Sequence, residues 1–301
     1  MKSFFLIKII FILLVFPNYT FGKGLPPGTG SNDVPANLLI LLDRSGSMDD
    51  PTAGGVEDVQ AIAVDSNSGS SYAAMPNSIV KVDYANMDVD MTWKYIPAGN
   101  CLIGDIKELR VHNNKLYVVD FDNDRLYRID LTSTICDWSV SIDRPRSMDI
   151  KNNTLYALGD EMLVYNLNSG TPSKINCTYS GDLKNDGDSS DSSIAIDSSS
   201  ENLYIHHSTK LRRFAISAGD KCPNTSRGSQ IDTPGANTVH GFGFKPGSDT
   251  IVYLPEYMDR FYQFTLNANR TSATRIRSNA SYSTSPSTVS PNKMFVDFPY
   301  G

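Results

Sequence analysis

The sequence predicts an all-β fold of short antiparallel strands, and three observations carry that reading. From Val56 onward apolar residues alternate over short runs, and no stretch sustains a helical period. The composition suits strands and turns: 15 Tyr and 13 Phe stand beside abundant Asn, Asp and Ser, 21 Gly and 16 Pro. The chain also repeats itself. Tyr72, Tyr117, Tyr156, Tyr204 and Tyr253 each sit in the second strand of a copy, spaced 45, 39, 48 and 49 residues apart. One four-stranded sheet cannot cover both its faces, whereas radial stacking of such sheets does, so the period points to a β-propeller.

The five copies can be read in order. The first runs through 61–65, 71–74 and 79–83, the second through 108–120 and 125–130, and the third through 147–158 and 162–166. The fourth occupies 193–197, 202–206 and 211–216, and the fifth 241–245, 250–254 and 260–266. Residues 293–298 match the first strand of a sixth copy. The propeller is therefore expected over 56–301 with five recognisable blades plus that strand, incomplete within this chain.

Residues 1–22 read as an export signal. Lys2 and Lys8 flank the start, 9–16 is unbroken apolar sequence, and Thr20-Phe21-Gly22 is a small-x-small cleavage pattern. The apolar core is too short to span a bilayer and no other stretch approaches the length, so no transmembrane segment is expected after signal removal. The expected location is secreted or cell-surface. Residues 23–36, with Pro26-Pro27 and Gly28-Thr29-Gly30, read as a flexible leader. The formal charge of −6 argues against a nucleic-acid partner.

Residues 37–55 hold the most specific motif. The apolar run 38–42 stops at Asp43, and Ser45 and Ser47 follow around Gly46. A carboxylate and two hydroxyls supply hard oxygen donors, suited to Mg²⁺ or Ca²⁺. Asp-x-Ser-x-Ser after an apolar strand resembles the first metal-site loop of von Willebrand factor A domains. That resemblance implies an ion bridging to an acidic group on a protein or cell-surface ligand. The following residues depart from the family: Asp49, Asp50, Pro51 and Gly54-Gly55 break the helix that should come next. The two later metal loops, with a Thr and an Asp, have no counterpart. Deprived of A-domain neighbours, the strand 38–42 is expected to aggregate by its edge or to be borrowed by the propeller as a closing piece. The plain alternative is an ordinary strand ending in a polar turn.

In pattern the repeats resemble NHL and quinoprotein-like propellers. Together with the metal loop and the export signal, they resemble the tip-associated adhesins of bacterial type IV pili. There the A domain precedes the propeller, whereas here only its first strand does. The resemblance implies divalent-cation-dependent adhesion. Two other readings stay open: a periplasmic propeller enzyme with its site in the central channel, and a non-catalytic surface scaffold. For the enzyme, the first strands carry Asp65, His112, Asp149, Asp197 and Lys245. Against it, there is no G-x-S-x-G, no Gly-rich phosphate loop and no nucleophile beside a His.

Cys101, Cys136, Cys177 and Cys222 fall 35, 41 and 45 residues apart, about one per blade. An even count in an exported chain favours disulfides, and neighbouring blades suggest Cys101–Cys136 with Cys177–Cys222 against the two other connectivities. No C-x-x-C occurs, and His112, His206, His207 and His240 lack ligand spacing. Asp182, Asp186, Asp188 and Asp191 surround a glycine somewhat as in a calcium loop. Lys184 stands where an oxygen is wanted, so a solvated Asp/Ser turn is the alternative. Asp120, Asp122 and Asp124 form a second acidic loop. Asn176, Asn224, Asn269 and Asn279 lie in N-x-Ser/Thr sequons.

Overall fold

The structure is a computed structural model that describes residues 40–41, 59–65, 68–83, 88–178, 192–207, 210–224, 228–233, 242–244, 248–256, 260–279 and 294–295. The chain divides into two compact units, Met1–Leu38 and Leu39–Gly301, and every described residue lies in the second. The signal, the leader and the Asp43 loop lie outside the described residues.

Among the described residues, five four-stranded antiparallel sheets follow one another in sequence order. Blade one holds β2 (Ala61–Asp65), β3 (Ser70–Met75), β4 (Ser78–Asp83) and β5 (Asp88–Tyr95). Blade two holds β6 (Ile106–His112), β7 (Lys115–Asp120), β8 (Arg125–Asp130) and β9 (Cys136–Ser141). Blade three holds β10 (Ser147–Lys151), β11 (Thr154–Leu158), β12 (Met162–Asn166) and β13 (Ser173–Ile175). Blade four holds β14 (Ser193–Ile196), β15 (Asn202–His207), β16 (Lys210–Ala215) and β17 (Ser229–Ile231). Blade five holds β18 (Gly243–Phe244), β19 (Ile251–Glu256), β20 (Arg260–Leu266) and β21 (Ala273–Asn279). The five repeats of the sequence are these five blades.

The hairpins explain two Asn-Asn pairs. His112 pairs with Lys115 and Lys151 with Thr154, so each first hairpin has a two-residue loop. Asn113, Asn114, Asn152 and Asn153 all have φ between 46° and 58°. A tight turn whose twist matches the strands needs positive φ at both positions, which Asn tolerates better than most residues.

The repeated tyrosine is the inter-blade seal. Tyr72 packs with Leu109 and Leu116 of blade two, and Tyr117 with Met148 and Leu155 of blade three. Tyr156 packs with Ile194 and Phe214 of blade four, and Tyr204 with Phe242, Phe244 and Phe264 around blade five. All four tyrosines are buried. An aromatic ring supplies a large apolar area to each seam while its hydroxyl finds a polar partner, as Tyr156 does by donating to Lys221 O at 2.9 Å.

The strand before Asp43 does not stand alone. β1 (Ile40–Leu41) pairs antiparallel with β22 (Met294–Phe295), Ile40 opposite Phe295 and Leu41 opposite Met294. β22 lies beside β2, the first strand of blade one. The first strand of a sixth blade is thus present, and residues from the two ends of the chain share one sheet.

Two disulfides join Cys101 to Cys136 and Cys177 to Cys222. Each ties a connection between blades to the outer part of the following blade. Cys101 precedes β6 and Cys136 opens β9, while Cys177 follows β13 and Cys222 lies between β16 and β17. Among the described residues, no helix is long and apolar enough to cross a membrane.

Candidate functional site

The first strand of every blade is hydrogen-bonded on one side only, so its other edge carries backbone amides with no strand partner. Side chains of the preceding blade satisfy several of them. Gln60 Oε1 accepts from Ile106 N at 3.0 Å. Glu108 Oε2 accepts from Met148 N at 2.8 Å and from Ser147 Oγ at 2.7 Å. Ser147 Oγ in turn accepts from Ile194 N at 3.1 Å, and Asp149 Oδ2 from Ile196 N at 2.7 Å. The first strands are stitched side chain to backbone, blade after blade.

Register identifies the unusual members of this seam. The residues opposite the repeated tyrosines are Ala63, Arg110, Asp149, Ala195 and Gly243. Three blades place Ala or Gly there, while blades two and three place opposite charges. Arg110 Nη2 pairs with Glu108 Oε1 at 2.7 Å. Arg110 cannot accept an amide, and Ile150 N donates instead to Asp149 Oδ1 at 2.9 Å. Asp149 therefore serves two edge amides, one per oxygen.

Burial pushes the Asp149 carboxyl up to about 6, against the pull of the Arg110 guanidinium and the Ile196 amide and assisted by the charge of Glu108. A half-buried carboxyl whose proton exchange is pushed toward neutral pH, beside the buried Glu108 and the half-buried Arg110, is the kind of feature that marks many functional sites. Glu108, Arg110 and Asp149 are the candidate site that the described residues present.

Of the first-strand residues Asp65, His112, Asp149 and Asp197, which are among the described residues, only Asp149 belongs to this seam. Asp65 accepts from Ser68 Oγ at 2.6 Å. His112 Nε2 bonds Asn153 Oδ1 at 2.7 Å, linking the hairpin turns of blades two and three. Asp197 is wholly buried within blade four's first turn, and Lys245 lies outside the described residues. His206, which lacked ligand spacing in the sequence, is fully buried inside β15.

The acidic loop at 120–124 is a closed turn. Asp120 accepts from Asn123 N at 3.2 Å, Asn123 Nδ2 at 2.8 Å and Gly104 N at 3.0 Å, so both its oxygens are committed. Gly104 is there for space: a Cβ would come within 2.8 Å of Asp120 and Asn123 side-chain atoms. Among the described residues, no group of three or more His, Cys, Asp or Glu is arranged to hold a metal ion. Asp43, Ser45 and Ser47, and likewise Asp182, Asp186, Asp188 and Asp191, lie outside the described residues.

Sequence reasoning missed the amide acceptors Gln60, Glu108 and Ser147 and the pairing of Arg110 with Glu108. The signal was in the repeats. Aligned on their tyrosines, they show charge at a position that is otherwise Ala or Gly.

No protein-family model matches the chain, and no curated protein matches it. Solved structures do resemble it. The β-propeller domain of Myceliophteria thermophila Cps50 (Swd1) is 10% identical, with a TM-score of 0.54 over 74% of this chain and 71% of that one. A protein from Lactobacillus plantarum is 13% identical, with a TM-score of 0.58 over the same shares. The fold is a β-propeller. At these identities the likeness speaks for the fold alone.

Proposed function

We propose that this chain is an exported binding protein that engages a protein or cell-surface ligand through a divalent cation held by Asp43, Ser45 and Ser47. The observation that carries the reading is the pairing of β1 with β22, because β1 ends two residues before Asp43. The motif is thereby tethered to the propeller, a rigid base from which a loop can act. One carboxylate and two hydroxyls are neutral or singly charged hard donors, fitting Mg²⁺ or Ca²⁺ and leaving the ion net positive toward an acidic group on the ligand. The two disulfides suit an extracytoplasmic location, and a role on a bacterial pilus is proposed from the sequence resemblance alone.

A second reading is favoured by Asp120. It ends β7, the second strand of blade two, and opens an Asp-x-Asp-Asn-Asp turn that its own carboxylate closes. By that precedent Asp43 would cap its turn and the protein would be a metal-free surface scaffold.

Calorimetric titration of the chain with Mg²⁺ and with Ca²⁺, with Asp43→Ala alongside, separates the two. Heat of binding that disappears in a folded Asp43→Ala protein supports the cation. Binding that persists in Asp43→Ala moves the ion elsewhere, first to the acidic stretch 182–191. No binding together with a lowered melting temperature in Asp43→Ala supports the scaffold.

A further inference from the structure

We propose that Asp149 is a pH-operated clasp across the seam between blades three and four, holding two edge amides when ionised and releasing one when protonated. The inference goes beyond the proposed function and does not depend on the Asp43 loop.

The geometry is specific. Asp149 Oδ1 takes Ile150 N at 2.9 Å from its own strand, and Oδ2 takes Ile196 N at 2.7 Å from the next blade. An ionised carboxylate accepts at both oxygens, whereas a carboxylic acid keeps one good acceptor and turns the other oxygen into a donor. Adding one proton therefore removes one of the two amide bonds. Among the described strands, neither amide has a strand partner on that edge to fall back on.

The surroundings set where the clasp operates. From β6 the guanidinium of Arg110 and the carboxylate of Glu108 face Asp149, and from β11 the phenol of Tyr156. From β14 comes the Ile196 amide. Arg110 is already held by Glu108, and Glu108 is further occupied by Ser147 and Met148 N. Burial therefore outweighs the stabilising partners, and the carboxyl changes state at about 6, within the mildly acidic range an exported protein meets.

The linkage gives the clasp a signature that general acid unfolding cannot imitate. The folded-state value lies above the ordinary carboxylate value of about 3.9, so the folded chain takes up the proton first. As pH falls from 7 toward 5, the Asp149 contribution to global stability rises while the protection of one particular amide falls. Unfolding by acid would lower both.

The test is native-state amide hydrogen exchange on the full chain at pH 7 and pH 5, corrected for intrinsic rates. Protection of Ile196 N or Ile150 N should fall about tenfold at pH 5, the effect of one lost hydrogen bond. Asp149→Asn, permanently uncharged, should show low protection at that amide at both pH values. Should that variant fail to fold, the wild-type carboxyl carbon of Asp149 and the Ile196 amide are followed by NMR, and both should titrate with one midpoint near 6. Equal protection at both pH values in the wild type overturns the proposal. So does a pH-dependent loss that survives in Asp149→Asn, or separate midpoints for the two nuclei.

Discussion

Arg270 of blade five closes on Asp197 of blade four, donating from Nη1 to the carboxylate and to Tyr204 Oη at 2.7 Å. Asp197 is fully buried and also accepts from Ser199 Oγ at 2.9 Å, Glu201 N at 3.0 Å, and Asn202 N and Nδ2 at 3.1 and 2.7 Å. One carboxylate thus shapes the turn after β14 and anchors the neighbouring blade. Removing it takes the shared acceptor from several part-buried hydrogen bonds and leaves the half-buried Arg270 cation without its carboxylate. Asp197→Ala is expected to cost on the order of 3–5 kcal/mol in denaturant unfolding, and a change below about 1 kcal/mol would show the cluster to be dispensable.

The same residue predicts an acid limit. Burial pushes the Asp197 carboxyl up, but the hydrogen bonds from Asn202, Ser199 and Arg270 prevail and leave it below the usual range. Its stabilisation is present above the unfolded value of about 3.9 and is lost as pH falls through the lower folded value. Asp149 acts with the opposite sign at about 6. Thermal melting should therefore show stability holding or rising from pH 7 to about 5 and falling below about 4. In Asp149→Asn the upper part of that profile should flatten.

Tyr156 separates the aromatic seal from its hydroxyl. Tyr156→Phe keeps the ring among Ile194, Leu203 and Phe214 and loses only the bond to Lys221 O, an expected cost of about 1 kcal/mol. Tyr156→Ala opens a cavity between blades three and four and should cost about 3–5 kcal/mol. Equal costs for the two variants would mean that the hydroxyl, not the ring, holds the seam.

Thiol titration of the denatured, unreduced chain should find no free cysteine, since all four are paired. Closing loops of 35 and 45 residues contributes about 4 kcal/mol each in the chain-entropy model. Reduction should accordingly lower the denaturant midpoint strongly. Four reactive thiols in the unreduced protein would refute both bridges.

The architecture was legible because each blade repeats a physical necessity. A tyrosine such as Tyr117 or Tyr204 seals each of the four described seams, and turns such as Asn113-Asn114 and Asn152-Asn153 must adopt positive φ. These local requirements leave marks at a fixed period. The candidate site left a fainter mark, since Glu108, Ser147 and Asp149 act on amides some 40 to 47 residues away. Strand alternation placed Asp149 and Asp197 in one class. Asp149 serves strand-edge amides at the seam, whereas Asp197 caps the turn that follows its strand, a difference set by two residues of register. The partner of the strand before Asp43 was legible only as one of two outcomes, because pairing between residues 40 and 295 leaves no local signature.

That pairing is what joins the strand before Asp43 to the propeller, and cross-linking tests it most directly. Leu41 lies opposite Met294 and every native cysteine is already paired, so Leu41→Cys with Met294→Cys introduces an unambiguous thiol pair. Mild oxidation followed by peptide mass spectrometry should find a new disulfide joining the two in the monomer, absent from either single variant. A monomer in which both added thiols stay free, while the native disulfides are intact and residues 37–48 are cut readily by protease, would contradict the account.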